Sequence, residues 1–439
     1  MPIYLTVHRG AHEIGGNCIE IEGERSRLIL DAGMPLFRAD REPHDSRALQ
    51  RKSKDELEAA GILPTVPGLF GDGGRPTAIL LSHAHQDHTG LLHHSHPEIP
   101  IYTTRGTSKM MAAGAKFAGQ PYLPRQRFHE VLPTVPFEVG EFTVTGFSVD
   151  HSIYGALAFL IEVNGTRILY SGDLRLHGRK PGMARALIDS VARVPVDLLL
   201  MEGTHIEHAG HRGPNEFELE AEITRHIESN PGLVLASFSP QHIDRFVAFL
   251  RSTRKTGRTL VVDAYAGYIL HLMRNEIPVP APESTEWIKV FFPKYFEESY
   301  ERKRLKTVFT LLSPANIRMD EIRSNPAKYV MLFRPSMLAS DFSSSLPPST
   351  RCIFSSWNGY LEREEWKLVQ DVLHKSGGEL VQAHTSGHIY ADDIQTFLDE
   401  LRPRSVVPIH TFAGHDFARL GHPLTLLRDG ERHQLNAKG

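Results

Sequence analysis

The stretch LLSHAHQDHTG at residues 80–90 places four ligand-type side chains, His83, His85, Asp87 and His88, close together. In an extended segment residues i and i+2 point the same way, so His83 and His85 can meet one cation at the end of the apolar run TAILLS (77–82). Asp87 and His88 lie just beyond, where the chain turns, and can face a second cation. Neutral imidazole and carboxylate suit Zn²⁺, and Mn²⁺ where carboxylate character grows. Two such cations about 3.5–4 Å apart activate water and stabilise the charge that develops in an in-line displacement. The expected chemistry is therefore metal-assisted hydrolysis, with the protein supplying substrate shape and a proton for the leaving group. A His-rich surface loop is the alternative.

The elements around this stretch read as short strands that deliver polar residues at their ends. IYLTV, CIEIEG and SRLILDAG, with Gly-rich breaks between them, suit adjacent strands joined by tight turns. A helical stretch near 45–60 and TAILLS follow, and then EFTVTGFSV, ALAFLIEV, RILYSGD and VDLLLMEG alternate with turns or helices, a mixed α/β pattern. After Thr204 the texture changes. An amphipathic helix (PNEFELEAEITRHIES) precedes GLVLASF, QHIDRFVAFLRST, RTLVVDA and YAGYILHLM, the strand–helix repeat of a parallel sheet with crossover helices. ELVQAHTSGH, the helix ADDIQTFLDELR and SVVPIHTF then resume the strand-end motifs of the first half. The expected division is 1–205, 206–377 and 378–439.

With 439 residues, 41% hydrophobic and 23% charged, the chain is an ordinary globular protein of two or three domains. Its 49 Lys+Arg and 52 Asp+Glu give −3, which excludes a uniformly basic coat, so any nucleic-acid contact must be local. No apolar run approaches the ~20 residues of a membrane span, and the N-terminus reads directly as a strand rather than a signal peptide. A cytoplasmic enzyme with no membrane partner is expected. Cys18 and Cys352 alone support neither a disulfide framework nor a thiolate zinc site.

HxHxDH after a hydrophobic strand, preceded by Asp31 in LILDAG and followed by His151 in VDHSIYG and Asp173 in YSGD, resembles the ordered motifs of the metallo-β-lactamase superfamily. Glu202 in VDLLLMEGT, HTSGH (384–388) and His410 in PIHTF, around the insert at 206–377, resemble the added motifs of its β-CASP nucleases, and HTSG resembles the ribonuclease J form. The resemblance implies an αββα sandwich interrupted by a β-CASP α/β domain, with the active site in the cleft between them. It implies a first metal on His83, His85 and His151 and a second on Asp87, His88 and His410. Asp173 would bridge the two, and Asp31 would brace the ligands from behind. His388 would be the general acid, oriented and charge-tuned by Glu202. His384, Ser386, Gly387, Ser239 and Arg245 would contact substrate phosphate; for Arg245 an intramolecular salt bridge is the equal alternative.

The implied function is hydrolysis of phosphodiester bonds in single-stranded RNA, as 5′-3′ exonuclease or endonuclease, through a hydroxide bridging two divalent ions, Zn²⁺ before Mn²⁺. Histidine at position 410 resembles the members that act on RNA rather than those that repair DNA, without excluding DNA. The alternative is a hydrolase of DNA or of a small-molecule ester or phosphodiester on the same fold. A homodimer stays open. Ribonuclease J commonly extends well past the last motif, whereas here Gly439 follows soon after His410, which puts tetramer formation and processive exonuclease action in doubt.

Overall fold

Strands with apolar residues at alternate positions present two usable faces, and the first unit is built on that property. The computed structural model of the chain describes residues 2–435. Two compact units emerge, Met1–Arg212 with Gly387–Gly439, and Gly213–Ser386.

In the first unit β1 (Ile3–Arg9), β2 (Cys18–Glu22), β3 (Arg27–Leu30), β4 (Ala78–Leu80), β5 (Ile101–Thr103) and β6 (Phe128–Glu130) lie in chain order in one sheet. Pairing is antiparallel through β3 and parallel from there on. A second sheet holds β7 (Phe137–Val139), β8 (Phe142–Ser148), β9 (Leu157–Val163), β10 (Thr166–Tyr170) and β11 (Leu198–Glu202). Leu5, Val7, Ile19, Ile21, Leu28 and Leu80 share a buried core with Phe142, Val144, Phe159, Ile161 and Leu200 of that sheet. On the outer faces Ile29, Ile79 and Ile101 pack with Leu57, Leu69 and Leu91. Leu160, Leu169 and Leu199 pack with Leu187 and Val191 of the helix Gly182–Val191 and with Phe397 and Leu398 of the helix Ala391–Leu401. The result is the expected αββα sandwich.

The second unit is a parallel sheet of β12 (Val234–Ser237), β13 (Thr259–Asp263), β14 (Ile288–Phe291), β15 (Tyr329–Leu332), β16 (Arg351–Phe354) and β17 (Glu379–Gln382), in the order β14-β13-β15-β12-β16-β17. Its strands are nearly continuous apolar runs, as a sheet covered on both faces requires. Leu235, Val261, Met331 and Cys352 pack with Trp366, Val369 and Leu373 of the helix Glu364–Lys375. Both boundaries fall later than the sequence reading places them, at Arg212/Gly213 and Ser386/Gly387. ELVQ is β17, paired in parallel with β16 through Cys352↔Leu380 and Ile353↔Val381, so it completes the inserted sheet instead of opening the return.

The return supplies β18 (Val406–Ile409), which joins the second sheet beside β11 in parallel, and β19 (Arg432–Leu435), which pairs antiparallel with β1. Because β10, β11 and β18 are neighbouring parallel strands, their carboxyl ends reach the same sheet edge. The parallel pair β3 and β4 does the same in the first sheet. Among the described residues no helix is long and apolar enough to cross a membrane.

Gly33 shows how tightly the ends of β3 and β4 meet. A Cβ there would stand 1.6 Å from the Asp87 carbonyl oxygen and 2.9 Å from Asn17 N. Gly33→Ala must therefore displace the HxHxDH turn, at a cost of about 3 kcal/mol, the upper part of the usual overpacking range. Urea unfolding should show a lower midpoint, and a metal titration a weaker affinity; unchanged values in both would contradict this packing.

Candidate metal centre

His83 follows β4 within three residues, and the chain then turns through the short helix Gln86–Thr89, which carries Asp87 and His88. His83 Nε2 and His151 Nε2 lie 3.1 and 3.0 Å from His85 Nδ1. His151 Nδ1 donates to the Gly387 carbonyl at 2.6 Å, which turns the Nε2 lone pair toward the other two rings. The ligand-type atoms of these three residues form one group, all within 4.8 Å of one another.

Asp87, His88, Asp173 and His410 form a second group of the same compactness. His410 Nε2 lies 3.2 Å from Asp87 Oδ2, and His88 Nε2 lies 3.1 Å from Asp173 Oδ2. Asp173 Oδ2 is also within 4.0 Å of His83 Nε2 (3.6 Å) and His151 Nε2 (3.9 Å), so it touches both groups. Behind them Asp31, fully buried, accepts from Ser82 N (2.7 Å), Ser82 Oγ (2.7 Å), Tyr170 OH (2.6 Å) and His88 Nδ1 (2.7 Å). That last bond fixes the His88 ring so that Nε2 faces the group, the usual arrangement behind a metal-bound imidazole.

Glu202 ends β11 with no exposed surface. Its Oε1 accepts from Leu174 N at 3.1 Å, and its Oε2 lies 3.2 Å from His388 Nδ1. Thr204 was not singled out from the sequence, yet its hydroxyl donates to Glu202 Oε2 at 2.9 Å and accepts from His410 Nδ1 at 2.9 Å. It joins the carboxylate to a ligand-type imidazole. A threonine two residues past a strand-end glutamate carries no local signal that would have revealed this.

The electrostatics divide the histidines. Burial, reinforced by neighbouring histidines, holds His83 and His151 well below their ordinary value, and burial takes His85 down to about 4. All three are neutral, as ligands must be. Burial also opposes charge on His88, but Asp173, Asp87 and Asp31 outweigh it and raise that imidazole well above its ordinary range. The carboxyls of Asp87 and Asp173 are lowered despite burial, chiefly by His88 and, for Asp173, by His410 and then His88. His388 is disfavoured as a cation by burial, yet Glu202 and then Asp173 lift it to about 9.

These groups fit divalent metal ions. His83 Nε2 and His151 Nε2 converge on the one His85 Nδ1, whose single proton could satisfy only one of them, whereas a cation among the three lone pairs would satisfy all. The Asp173 Oδ1 atom, buried, has no hydrogen-bond partner among the described residues, and such an orphan requires an explanation.

Sequence reading also missed a buried ion pair that joins two ligand loops. Asp150 precedes His151, and Arg175 follows Asp173 by two residues. Arg175 Nε lies 3.1 Å from Asp150 Oδ1, Arg175 N donates to the Asp150 carbonyl at 2.8 Å, and Lys180 N donates to Asp150 Oδ2 at 2.7 Å. The expected phosphate contacts are distributed differently. Gly387 belongs to the first unit and receives the His151 bond, whereas His384, Ser386, Ser239 and Arg245 belong to the second. There Arg245 is fully buried, with Nη2 3.2 Å from Glu216 Oε1 and Nη1 donating to the Ser355 carbonyl at 3.2 Å. This is the intramolecular salt bridge left open by the sequence. A desolvated guanidinium opposite a desolvated carboxylate is held in place by that pair, so its geometry is that of an internal brace rather than an exposed phosphate ligand.

An αββα sandwich with histidine and aspartate ligands gathered at its strand ends defines a hydrolase of the metallo-β-lactamase fold. Residues 62–235 match the model of the beta-lactamase superfamily domain. Ribonuclease J of Mycolicibacterium smegmatis is 26% identical over 433 residues, covering 92% of this chain and 68% of that protein. Ribonuclease J of Helicobacter pylori is 21% identical, over 94% of this chain and 56% of that one. A crystal structure of a protein of unknown function from Enterococcus faecalis matches the fold with a TM-score of 0.79 at 22% identity, over 99% of this chain and 100% of the other. Residues 62–235 thus carry a beta-lactamase superfamily domain, and the chain is similar over nine-tenths of its length to ribonuclease J of several bacteria.

Two outcomes follow from this centre. Asp150→Ala removes the carboxylate facing a buried guanidinium, and should cost about 3–5 kcal/mol and lower metal content; thermal unfolding and elemental analysis will read both. Chelation should lower the unfolding temperature of the wild type, because a ligand present at a thousandfold its Kd contributes about 4 kcal/mol to stability. Calorimetry with and without EDTA measures it, and identical traces would argue against bound metal.

Proposed function

We infer that the protein is a metal-dependent ribonuclease that hydrolyses phosphodiester bonds of single-stranded RNA. The observation that carries this reading is the His388–Glu202 pair at 3.2 Å, with His388 Nδ1 also 3.7 Å from Asp173 Oδ2. A proton donor of that kind, beside a ligand carboxylate, is what departure of an alkoxide requires. The family relationship and the names of the relatives, Ribonuclease J in several bacteria, support RNA as the polymer.

His83, His85 and His151 would hold one divalent ion, and Asp87, His88 and His410 a second, with Asp173 shared. The nitrogen-rich first set suits Zn²⁺, with Mn²⁺ as the alternative. When bound, such ions supply Lewis acidity at the phosphate and an activated water. The chain's own work is positional and protonic. Asp31 holds the His88 ring, the Gly387 carbonyl holds His151, and Thr204 holds His410 and Glu202 in register. Glu202 keeps the proton on His388 and orients the ring, leaving Nε2–H to be given to the departing 3′ oxygen. The product strand then carries a 5′-phosphate.

The test is cleavage of a 5′-labelled single-stranded RNA, bearing a 5′-monophosphate or triphosphate, with Zn²⁺ and Mn²⁺ in parallel and matched DNA alongside. The wild type should cleave RNA. His388→Ala should lower kcat about 10²–10⁴-fold, the usual worth of general acid catalysis, with metal content retained. Labelled mononucleotide from the monophosphorylated strand would make the action exonucleolytic, and internal fragments would make it endonucleolytic. Metal-loaded protein that cleaves neither polymer would overturn the reading in favour of a small-molecule ester or phosphodiester.

A further inference from the structure

The segment after β3 runs alongside the ligand turn before it leaves the sandwich. Ala32 N donates to the His88 carbonyl at 2.9 Å and Met34 N to the Gln86 carbonyl at 3.0 Å. The chain then forms a narrow hairpin. Phe37 bridges Pro43, Arg38 N donates to the Glu42 carbonyl at 2.8 Å, and His44 N donates to the Leu36 carbonyl at 2.8 Å. Asp40 closes the tip by accepting from Glu42 N at 3.0 Å and from the Arg38 guanidinium at 3.2 Å.

Arg41 stands at this tip with φ 64°, in the left-handed region that residues with a Cβ rarely enter. A glycine would meet that backbone requirement more easily, yet the position holds a long cation. Its guanidinium lies 4.7 Å from the centre of the Phe412 ring, and Phe412 follows the ligand His410 by two residues. Phe37 meets the same ring edge-on at 5.4 Å. One ion pair, 3.6 Å to Glu207 Oε1, completes the contacts, and both side chains are exposed, at 58% and 39%. Among the described residues no hydrogen bond is made by the Arg41 guanidinium. A built hairpin, a left-handed residue and an aromatic seat therefore present most of five N–H donors to solvent at a ring two residues along the chain from the ligand His410.

We propose that Arg41 is a substrate-binding residue that takes a phosphate of the RNA strand flanking the scissile bond, with Phe412 setting the plane of its guanidinium. The planar fork matches two oxygens of a phosphodiester. Glu207, exposed and at the outer limit of an ion pair, is the contact that the phosphate replaces. The inference rests on the ribonuclease reading.

The experiment compares the wild type, Arg41→Lys and Arg41→Ala in steady-state cleavage of single-stranded RNA over a series of salt concentrations, with thermal unfolding and metal content measured on each. For Arg41→Ala, kcat/KM should fall about tenfold, the worth of one charge-assisted contact, with the loss mainly in KM. The salt dependence of log KM should become shallower by about 0.7, the value for one phosphate contact on a single strand. Arg41→Lys, which keeps the charge and loses the fork, should retain the wild-type salt slope with an intermediate KM. An active wild type with unchanged KM and salt slope in Arg41→Ala would overturn the proposal. So would a loss that tracks lowered stability or metal content at an unchanged slope, because Arg41 would then be only a brace. A wild type inactive on RNA would instead remove the ribonuclease reading, and this inference with it.

Discussion

Asp31 is the buried charge on which the centre depends. Its carboxylate has no exposed surface, and it is held by donors from three elements: the Ser82 amide and hydroxyl after β4, the Tyr170 hydroxyl ending β10, and the His88 ring on the ligand turn. A desolvated carboxylate with four partners is tolerable, and with fewer it becomes costly. These bonds fix where the first sheet, the second sheet and the ligand turn meet. Asp31 holds the His88 imidazole with one nitrogen committed and the other facing Asp173. Its own backbone, at φ 59°, is left-handed, as is that of His410 at φ 53°. Strain at a ligand and at the residue behind a ligand is consistent with a site whose surroundings over-determine it.

The same logic of opposed burial and charge extends outward. Burial alone would neutralise every ionisable group in the centre. It prevails at His83, His85 and His151, although Asp173 faces all three, and is outweighed at His88 by Asp173, Asp87 and Asp31 and at His388 by Glu202 and Asp173. At His88 a divalent ion would take the place of the second proton, since a ligand imidazole must be neutral, whereas His388, beside Glu202, keeps its own. Carboxylate placement at strand ends therefore assigns roles to chemically identical side chains. Arg175 and Asp150 apply the principle structurally, since a paired ion within the fold ties the His151 loop to the Asp173 loop.

Parts of this were legible before any coordinates. HxHxDH reveals itself because period-two geometry and an immediate turn gather its side chains locally; the short apolar runs of β1 to β11 read as a mixed α/β pattern, and the sandwich was implied only by the family resemblance of the ordered motifs. Within the insert, GLVLASF and RTLVVDA read correctly as strands because they are short, β-branched and bounded by turn residues. ELVQ was misassigned to the return, since four residues of moderate polarity do not reveal which sheet edge they extend; pairing with β16 decides it. Arg245 was ambiguous for a related reason. Sequence shows a cation near a polar loop, and only packing shows Glu216 opposite it.

What the sequence alone determined is the identity of the donors and the local facing of four of them, because those depend on neighbours in the chain and on backbone periodicity. Tertiary structure decided which distant residues join them. Asp173, Glu202 and His410 meet because β10, β11 and β18 are adjacent and parallel, an order set by burial of their apolar faces between two layers. Thr204, Asp150, Arg175 and the Arg41 hairpin acquire their positions in the same way. Their contacts span long stretches of chain, and no local pattern encodes which strand ends will share an edge.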